Sequence, residues 1–393
     1  MNISFTIPFK RKNKMAEVDL DFAAKLKKYG AVDFDACYNC GTCTAVCSLT
    51  EEHANFPRMF IRYGVLGLKD EVLHSKELWL CYACGDCTET CPRQANPGDY
   101  MAALRRYAIA EYEPTGLTKL IFTSNPFSVA FTLLLAVLLG FFLLTLVPEQ
   151  EVPRWLFRYM PFEVIHDMGL VAFALLGLSL VLGALNMLVR LSWKAVRNSS
   201  GEKQEKSNKG SFMGAVGYVV GELAVMKRYR DCDSEENSFW YRKPWLVRPW
   251  FVHWSVMWGF IGLLLATTLN FIFKDPATLV WWPTRILGTA SGLLMMYGAT
   301  LALTYRIRKV TRAYTGTRLA DWLFLSFLWL AGLTGFWLEI AVFLDADILL
   351  NHLVFILHTV ISMELVILFA FSKFAHAIYR PIALFMHHYY KAA

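Results

Sequence analysis

Eight of the nine cysteines fall between Cys37 and Cys91, in two copies of the spacing C-x2-C-x2-C-x3-C. The first copy is CYNCGTCTAVC, with Cys37, Cys40, Cys43 and Cys47; the second is CYACGDCTETCP, with Cys81, Cys84, Cys87 and Cys91. Few folds satisfy such a pattern. Three thiolates at three-residue steps on a tight loop wrap three corners of an iron–sulfur cubane, and the fourth cysteine of the run serves the other cluster. The spacing therefore predicts a crossed assignment. One [4Fe–4S] cluster takes Cys37, Cys40, Cys43 and Cys91, and the other takes Cys81, Cys84, Cys87 and Cys47. Gly41 and Gly85 stand where the backbone must curl close to sulfide. Structural zinc uses cysteine pairs rather than such quartets. Disulfides do not suit a reducing compartment, and no C-x-x-C-H for c-type haem is present. Cys232, far away in a charged stretch, reads as an ordinary thiol.

The rest of the chain is dominated by hydrocarbon-compatible sequence. Of its 393 residues 56% are hydrophobic, and the mean hydropathy is +0.37, which points to membrane spans. Six apolar stretches are long enough to cross ~30 Å of hydrocarbon: Pro126–Val147, Glu163–Leu191, Trp250–Phe273, Pro283–Arg306, Ala320–Leu344 and Ile348–Tyr379. The net charge of +7 fits basic residues gathered on cytoplasmic loops rather than a nucleic-acid partner. Eleven Lys or Arg lie between Lys194 and Arg248, and five between Arg306 and Arg318. The alternate loops are poor in them. This predicts a multi-pass protein of the cytoplasmic membrane with both termini in the cytoplasm. Lys10, Arg11, Lys12 and Lys14 precede no apolar core, so they do not read as a secretory signal.

The expected fold is all-α. A tail covers 1–15 and a cytoplasmic two-cluster ferredoxin module covers 16–117. Its inter-motif segments FPRMFIRYGVLGL and DEVLHSKELWL carry helical periodicity. Residues 118–393 form a six-helix transmembrane bundle like a cytochrome b, with a cytoplasmic loop at 192–249. Within that loop Ser199–Ser211 is polar, and Phe212–Met226 is apolar and suited to the membrane surface.

Ionisable side chains inside hydrocarbon are costly and usually have partners, so four histidines within the spans stand out. His358 and His376 are 18 residues apart. On one continuous helix that is five turns on a single face, about 27 Å along the axis. Depth then pairs His253 with His376 near the cytoplasm, and His166 with His358 near the outer surface. Neutral imidazoles on facing helices suit axial ligation of haem iron. His352 projects about 120° from His358 and is left out of the ligand set. Gly288 and Gly292 would allow close approach of a helix or flat ring. Glu364, mid-span, reads equally as a proton relay to a quinone or as a carboxyl hydrogen-bonded to a neighbouring helix. A quinone site fits beside Lys274, Trp281, Trp282 and Arg285, or beside Trp250 and Arg248; the sequence does not choose.

The segments GTCTAVC and LWLCYACGDCTETCP resemble the C subunit of heterodisulfide reductase. The membrane part resembles the E subunit of that enzyme, a relative of the cytochrome b subunit of respiratory nitrate reductase. Their fusion in one chain resembles the C-subunit family of the quinone-interacting membrane-bound oxidoreductase (Qmo) complexes of sulfate reducers. The resemblance covers nearly the whole chain. It departs at Ser48, where the pattern has proline, and in splitting the haem partners between His166 and His253. It implies menaquinone, two b haems and two [4Fe–4S] clusters. It also implies soluble flavoprotein partners resembling the A subunit of heterodisulfide reductase, and onward transfer to adenylylsulfate reductase in sulfate respiration. The expected role is an electron-transfer subunit performing the quinone half-reaction of an oxidoreductase. The alternatives are a heterodisulfide- or sulfite-reductase-linked subunit using another lipid carrier such as methanophenazine, and a haem-free membrane anchor with a ferredoxin domain.

Overall fold

The computed structural model describes residues 17–50, 56–145, 155–158, 161–199, 210–234, 238–273 and 282–390, and no strand occurs among them. The N-terminal module strings short helices around the cysteine loops. They are α1 (Phe22–Lys28), α2 (Thr42–Ala45), α3 (Arg58–Val65), α4 (Lys69–Leu73) and α5 (Asp86–Glu89), followed by the longer α6 (Pro97–Tyr112). Pro97 opens α6, where a missing N–H costs nothing. Tyr100, Leu104, Ala108 and Tyr112 then recur every fourth residue and are wholly buried. That stripe makes α6 the post against which the short helices pack. The Tyr100 hydroxyl donates to the Phe60 carbonyl at 2.7 Å, and the Tyr112 hydroxyl to the Leu73 carbonyl at 2.8 Å.

After α7 (Leu117–Thr123) come α8 (Asn125–Thr145) and α9 (Phe162–Ser199), then the shorter α10 (Phe212–Val225) and α11 (Lys227–Asp233). The chain continues with α12 (Pro249–Phe273), α13 (Trp282–Arg308), α14 (Leu319–Phe343), α15 (Leu349–Phe369) and α16 (His376–Tyr389). Among the described residues six helices are long and apolar enough to cross a membrane: α8, α9, α12, α13, α14 and α15. The composition change near residue 117 is not a packing boundary. Tyr379 of α16 packs on Trp79 and Tyr112, with ring centroids 5.5 and 5.4 Å apart. Met187 and Leu191 of α9 and Ala383 and Leu384 of α16 join the same core. The ferredoxin module thus sits on one end of the bundle and shares its apolar interior.

α12 and α13 approach closely at Gly259, where a Cβ would lie 2.5 Å from the Met295 nitrogen; Gly292 admits the flat ring of Phe336 from α14, 3.0 Å from where a Cβ would stand, while at Gly288 the nearest neighbour, Ala266, is 3.8 Å away. One sequence expectation is corrected: the last apolar stretch is not one helix. α15 ends at Phe369, and α16 begins at His376 after a short 3-10 turn, Lys373–Ala375. Ser372 takes extended backbone and its side chain accepts from the Phe374 N–H. Phe374 stacks on Phe369 at 4.9 Å, and Lys373 reaches Asp321 of α14 at 3.2 Å. His358 and His376 therefore lie on two helices, and the shared-face argument does not apply to them.

Candidate functional site

The two cysteine loops are bent by the same backbone. Asn39 (φ 64°) and Gly41 (φ 90°) in the first match Ala83 (φ 58°) and Gly85 (φ 95°) in the second. Left-handed alanine is uncommon; its place opposite Asn39 means that the ligand spacing, rather than residue type, sets the loop shape. The bend aims N–H groups at sulfur: Asn39 donates to Cys37 Sγ and Ala83 to Cys81 Sγ, each at 3.4 Å. Gly41 and Gly85 then begin α2 and α5. A Cβ on Gly85 would also sit 2.6 Å from that of Ala313, in the turn before α14.

The eight sulfurs line two cavities. Cys37, Cys40, Cys43 and Cys91 line one, and Cys47, Cys81, Cys84 and Cys87 line the other. Each set takes its fourth cysteine from the opposite motif. Among the described residues no three His, Cys, Asp or Glu side chains converge as a single ion would require. The sulfurs instead stand around a volume, as a cluster needs. Burial pushes the Cys47 thiol up to about 12 and raises Cys43 and Cys87 as well. The Cys232 thiol beside Cys84, together with burial, raises Cys84. At exposed Cys40 the Thr42 hydroxyl, 3.3 Å from Sγ, lowers it. Buried thiolates of this kind need nearby positive charge, which cluster iron supplies, so the residues present fit that group.

Cys232 is not remote in space. It lines the Cys47 cavity. The helix that carries it, α11, lies between the cysteine loops and a histidine pair. Tyr229, on the same helix, packs on Tyr82 with ring centroids 5.5 Å apart, and on His253 at 6.1 Å. The sequence reading missed this element. Its signal was Tyr229 and Cys232 three residues apart, on one face of a short helix in an otherwise charged run. Arg380 lies over the Tyr82 ring at 3.7 Å and, with Arg105, donates to the Cys81 carbonyl. The Tyr82 hydroxyl donates to buried Glu222 of α10.

His253 of α12 and His376 at the start of α16 meet with ring centroids 6.2 Å apart. Two imidazoles on opposite sides of one metal, with bonds of about 2 Å, have centroids about 6 Å apart. His376 Nδ1 lies 2.5 Å from the Lys373 carbonyl. A carbonyl only accepts, so Nδ1 carries the proton and Nε2 keeps its lone pair for a metal. The helix break at Ser372 is what makes this carbonyl available.

His358 is prepared in the same way. The Thr334 hydroxyl donates to the Leu330 carbonyl at 2.7 Å, so it accepts from His358 Nδ1 at 2.9 Å and leaves Nε2 as the lone-pair nitrogen. His166 lies on α9, 3.2 Å from Asp167. Ile165 and Met168 of α9 and Phe355 and Ile356 of α15 join one apolar cluster with Leu143 and Val360, while His358 turns to Thr334 and Gly335 of α14. His352 hydrogen-bonds Asp347 through Nε2 at 2.8 Å, the nitrogen that a ligand would use.

Glu364 is buried, with Oε1 lacking a hydrogen-bond partner among the described residues. Of its two sequence readings, bonding to a neighbouring helix is not what the structure shows. Lys274 and Trp281 lie outside the described residues. Arg285 of α13 faces Glu339 of α14 at 3.8 Å, and the Thr289 hydroxyl donates to Glu339 at 2.5 Å. They line a groove of about 540 Å³ with Trp282, Ile286 and Phe343. At the opposite end, Arg248 spends its donors on Ser234, Tyr241 and Lys243, and Trp250 donates to the Val225 carbonyl.

Cysteine loops and six apolar helices together define a class: an iron–sulfur protein joined to a membrane bundle. A 4Fe-4S dicluster domain family matches residues 33–95. Over 95 residues the chain is 34% identical to the C subunit of the H(2):CoB-CoM heterodisulfide,ferredoxin reductase of Methanothermobacter thermautotrophicus, covering 24% of this chain and 51% of that protein. It is 33% identical over 97 residues to an Archaeoglobus profundus protein described as like the C subunit of heterodisulfide reductase, covering 24% and 52%. It is 44% identical over 73 residues to the iron-sulfur C subunit of the CoB--CoM heterodisulfide reductase of Methanopyrus kandleri, covering 19% and 38%. The chain spans about half the length, or less, of the curated relatives it matches. No solved structure matches. Its N-terminal part is thus similar to the C subunit of heterodisulfide reductase.

Proposed function

We propose that this chain is the membrane electron-transfer subunit of a quinone-dependent oxidoreductase. Bound clusters and b haems would exchange single electrons; the chain's part is to hold them, space them and set their surroundings. The observation that carries the reading is the run of rings from the second cysteine set to the histidine pair. Tyr82 follows Cys81, packs on Tyr229, and Tyr229 packs on His253, which faces His376. His253 and His376 would hold one haem, His376 through Nε2. His358 is where a second is proposed, with His166 its partner by sequence. Asp321 and Glu339, near opposite ends of α14, are 18 residues or about 27 Å apart. A quinone at the far groove therefore needs a carrier between.

The far groove suits a lipid-soluble ring. Its volume lies within the few-hundred to about 1,000 Å³ of ligand pockets, its walls are apolar, and Arg285 and Glu339 supply a donor and a proton-exchanging carboxyl. Buried Glu364, nearer the middle, is suited to hold a proton. The ferredoxin end, with Arg306, Arg308, Lys309 and Arg312 around it, would face the cytoplasm. The proposed lipid partner is menaquinone. The proposed soluble partner is a flavoprotein resembling the A subunit of heterodisulfide reductase, with adenylylsulfate reductase downstream. Glu339→Gln is expected to raise the KM for a soluble menaquinol analogue about tenfold, near the 1.4 kcal/mol of one lost polar contact, with haem and cluster spectra unchanged. Unchanged kinetics in this variant, with loss in Arg248→Ala, would move the quinone to the other end.

A further inference from the structure

Five thiols, not four, stand at the second cysteine set. Cys232 Sγ is 3.4 Å from Ser48 Oγ, across 184 residues of sequence. It lines the cavity with Cys47, Cys81, Cys84 and Cys87. Its neighbour is equally specific. Ser48 follows Cys47 where Pro92 follows Cys91, so one loop gains a hydroxyl where the other has a residue with no side-chain donor. A cubane takes four cysteine ligands, and those four are supplied by the motifs. Cys232 is left on the wall of the cluster's cavity, with the Ser48 hydroxyl beside it.

We propose that Ser48 and Cys232 form a hydrogen-bond relay to Cys84 that raises the reduction potential of the cluster held by Cys47, Cys81, Cys84 and Cys87. The inference rests on the cluster reading of this dicluster domain. Donor and acceptor roles follow from the chemistry. A thiolate on iron has no proton, so the Cys232 S–H donates to Cys84 Sγ and the Ser48 O–H donates to Cys232 Sγ. Reduction adds negative charge to the cluster, and a donor aimed at its sulfur stabilises the reduced form more than the oxidised one. Asp86, on the same loop and close to Cys84, acts in the opposite sense, and the relay offsets it. At the first set Thr42 Oγ1 reaches Cys40 Sγ at 3.3 Å, but this contact is exposed, where water competes. Cys232 and Tyr229 share α11, so the relay also ties the cluster's potential to the helix that packs on His253.

The test is a redox titration of the full chain in detergent, with both clusters followed by EPR and non-haem iron measured alongside. In Cys232→Ala the second cluster is expected to become harder to reduce. Its reduced-to-oxidised ratio at fixed ambient potential falls about tenfold, a shift of about 59 mV for one electron, while the first cluster is unmoved. Ser48→Ala shifts the same midpoint in the same direction by less, and Cys232→Ser, which keeps a donor, restores it. An unchanged midpoint in Cys232→Ala overturns the relay. So does loss of about half the iron, which would make Cys232 a ligand or a structural prop. A wild-type chain lacking two cluster signals overturns the cluster reading, and the relay with it.

Discussion

Replacing His376 with alanine is expected to strip the proposed haem from the His253 site while leaving both clusters in place. His376 offers Nε2 because the Lys373 carbonyl holds Nδ1, and alanine leaves His253 without an opposite ligand. Loss of second-sphere partners alone costs 10–100-fold in metal affinity, so losing a ligand should cost at least about 100-fold. The visible spectrum of the dithionite-reduced variant should lose the b-haem α-band of that site. Cluster reduction by a quinol analogue should slow by about 100-fold or more, while direct chemical reduction of the clusters proceeds. Cluster reduction by quinol at the wild-type rate would mean that electrons do not pass this pair.

The second large effect is expected at Asp321, in the first turn of α14. Its carboxylate lies 3.0 Å from Arg106 of α6 and 3.2 Å from Lys373 before α16, and accepts the Arg318 N–H at 3.2 Å. Arg106 and Asp321 side chains are each only 6% exposed. One carboxylate thus joins the ferredoxin module to two parts of the bundle. Asp321→Ala leaves Arg106 buried with its charge uncompensated and facing Lys373. Breaking a buried pair in this way costs about 3–5 kcal/mol. The thermal midpoint, read by loss of cluster absorbance, should fall accordingly. Arg106→Met combined with Asp321→Leu should recover much of the loss, since apolar replacement of a whole buried pair is often neutral. A change below about 1 kcal/mol in Asp321→Ala would show that the pair does not hold the two parts together.

The cysteine loops were legible in the sequence because the geometry of a cubane dictates where its ligands must fall. The spans were legible because bilayer thickness dictates their length. The break before His376 was not. No glycine or proline lies between Leu349 and Tyr379; the turn is held by side-chain contacts, the Lys373–Asp321 pair and the Phe369–Phe374 stack. Depth alone nevertheless paired His253 with His376, since both lie near the ferredoxin end whether or not the helix is continuous. KRYRDCD read as a charged stretch because Tyr229 and Cys232 are outnumbered there by charges. Only tertiary packing reveals that Tyr229 and Cys232 face inward. Nothing local marks Glu339, because its partners, Arg285 and Thr289, sit on another helix.

Haem lying between a lipid-side site and the iron–sulfur clusters would show in the porphyrin and non-haem iron per chain, measured on the detergent-purified protein by pyridine haemochrome and iron assay. Extractable b haem together with about eight non-haem irons, the content of two cubanes, is expected. Cluster iron at that level with no porphyrin would contradict it and leave a dicluster ferredoxin fixed to a membrane anchor.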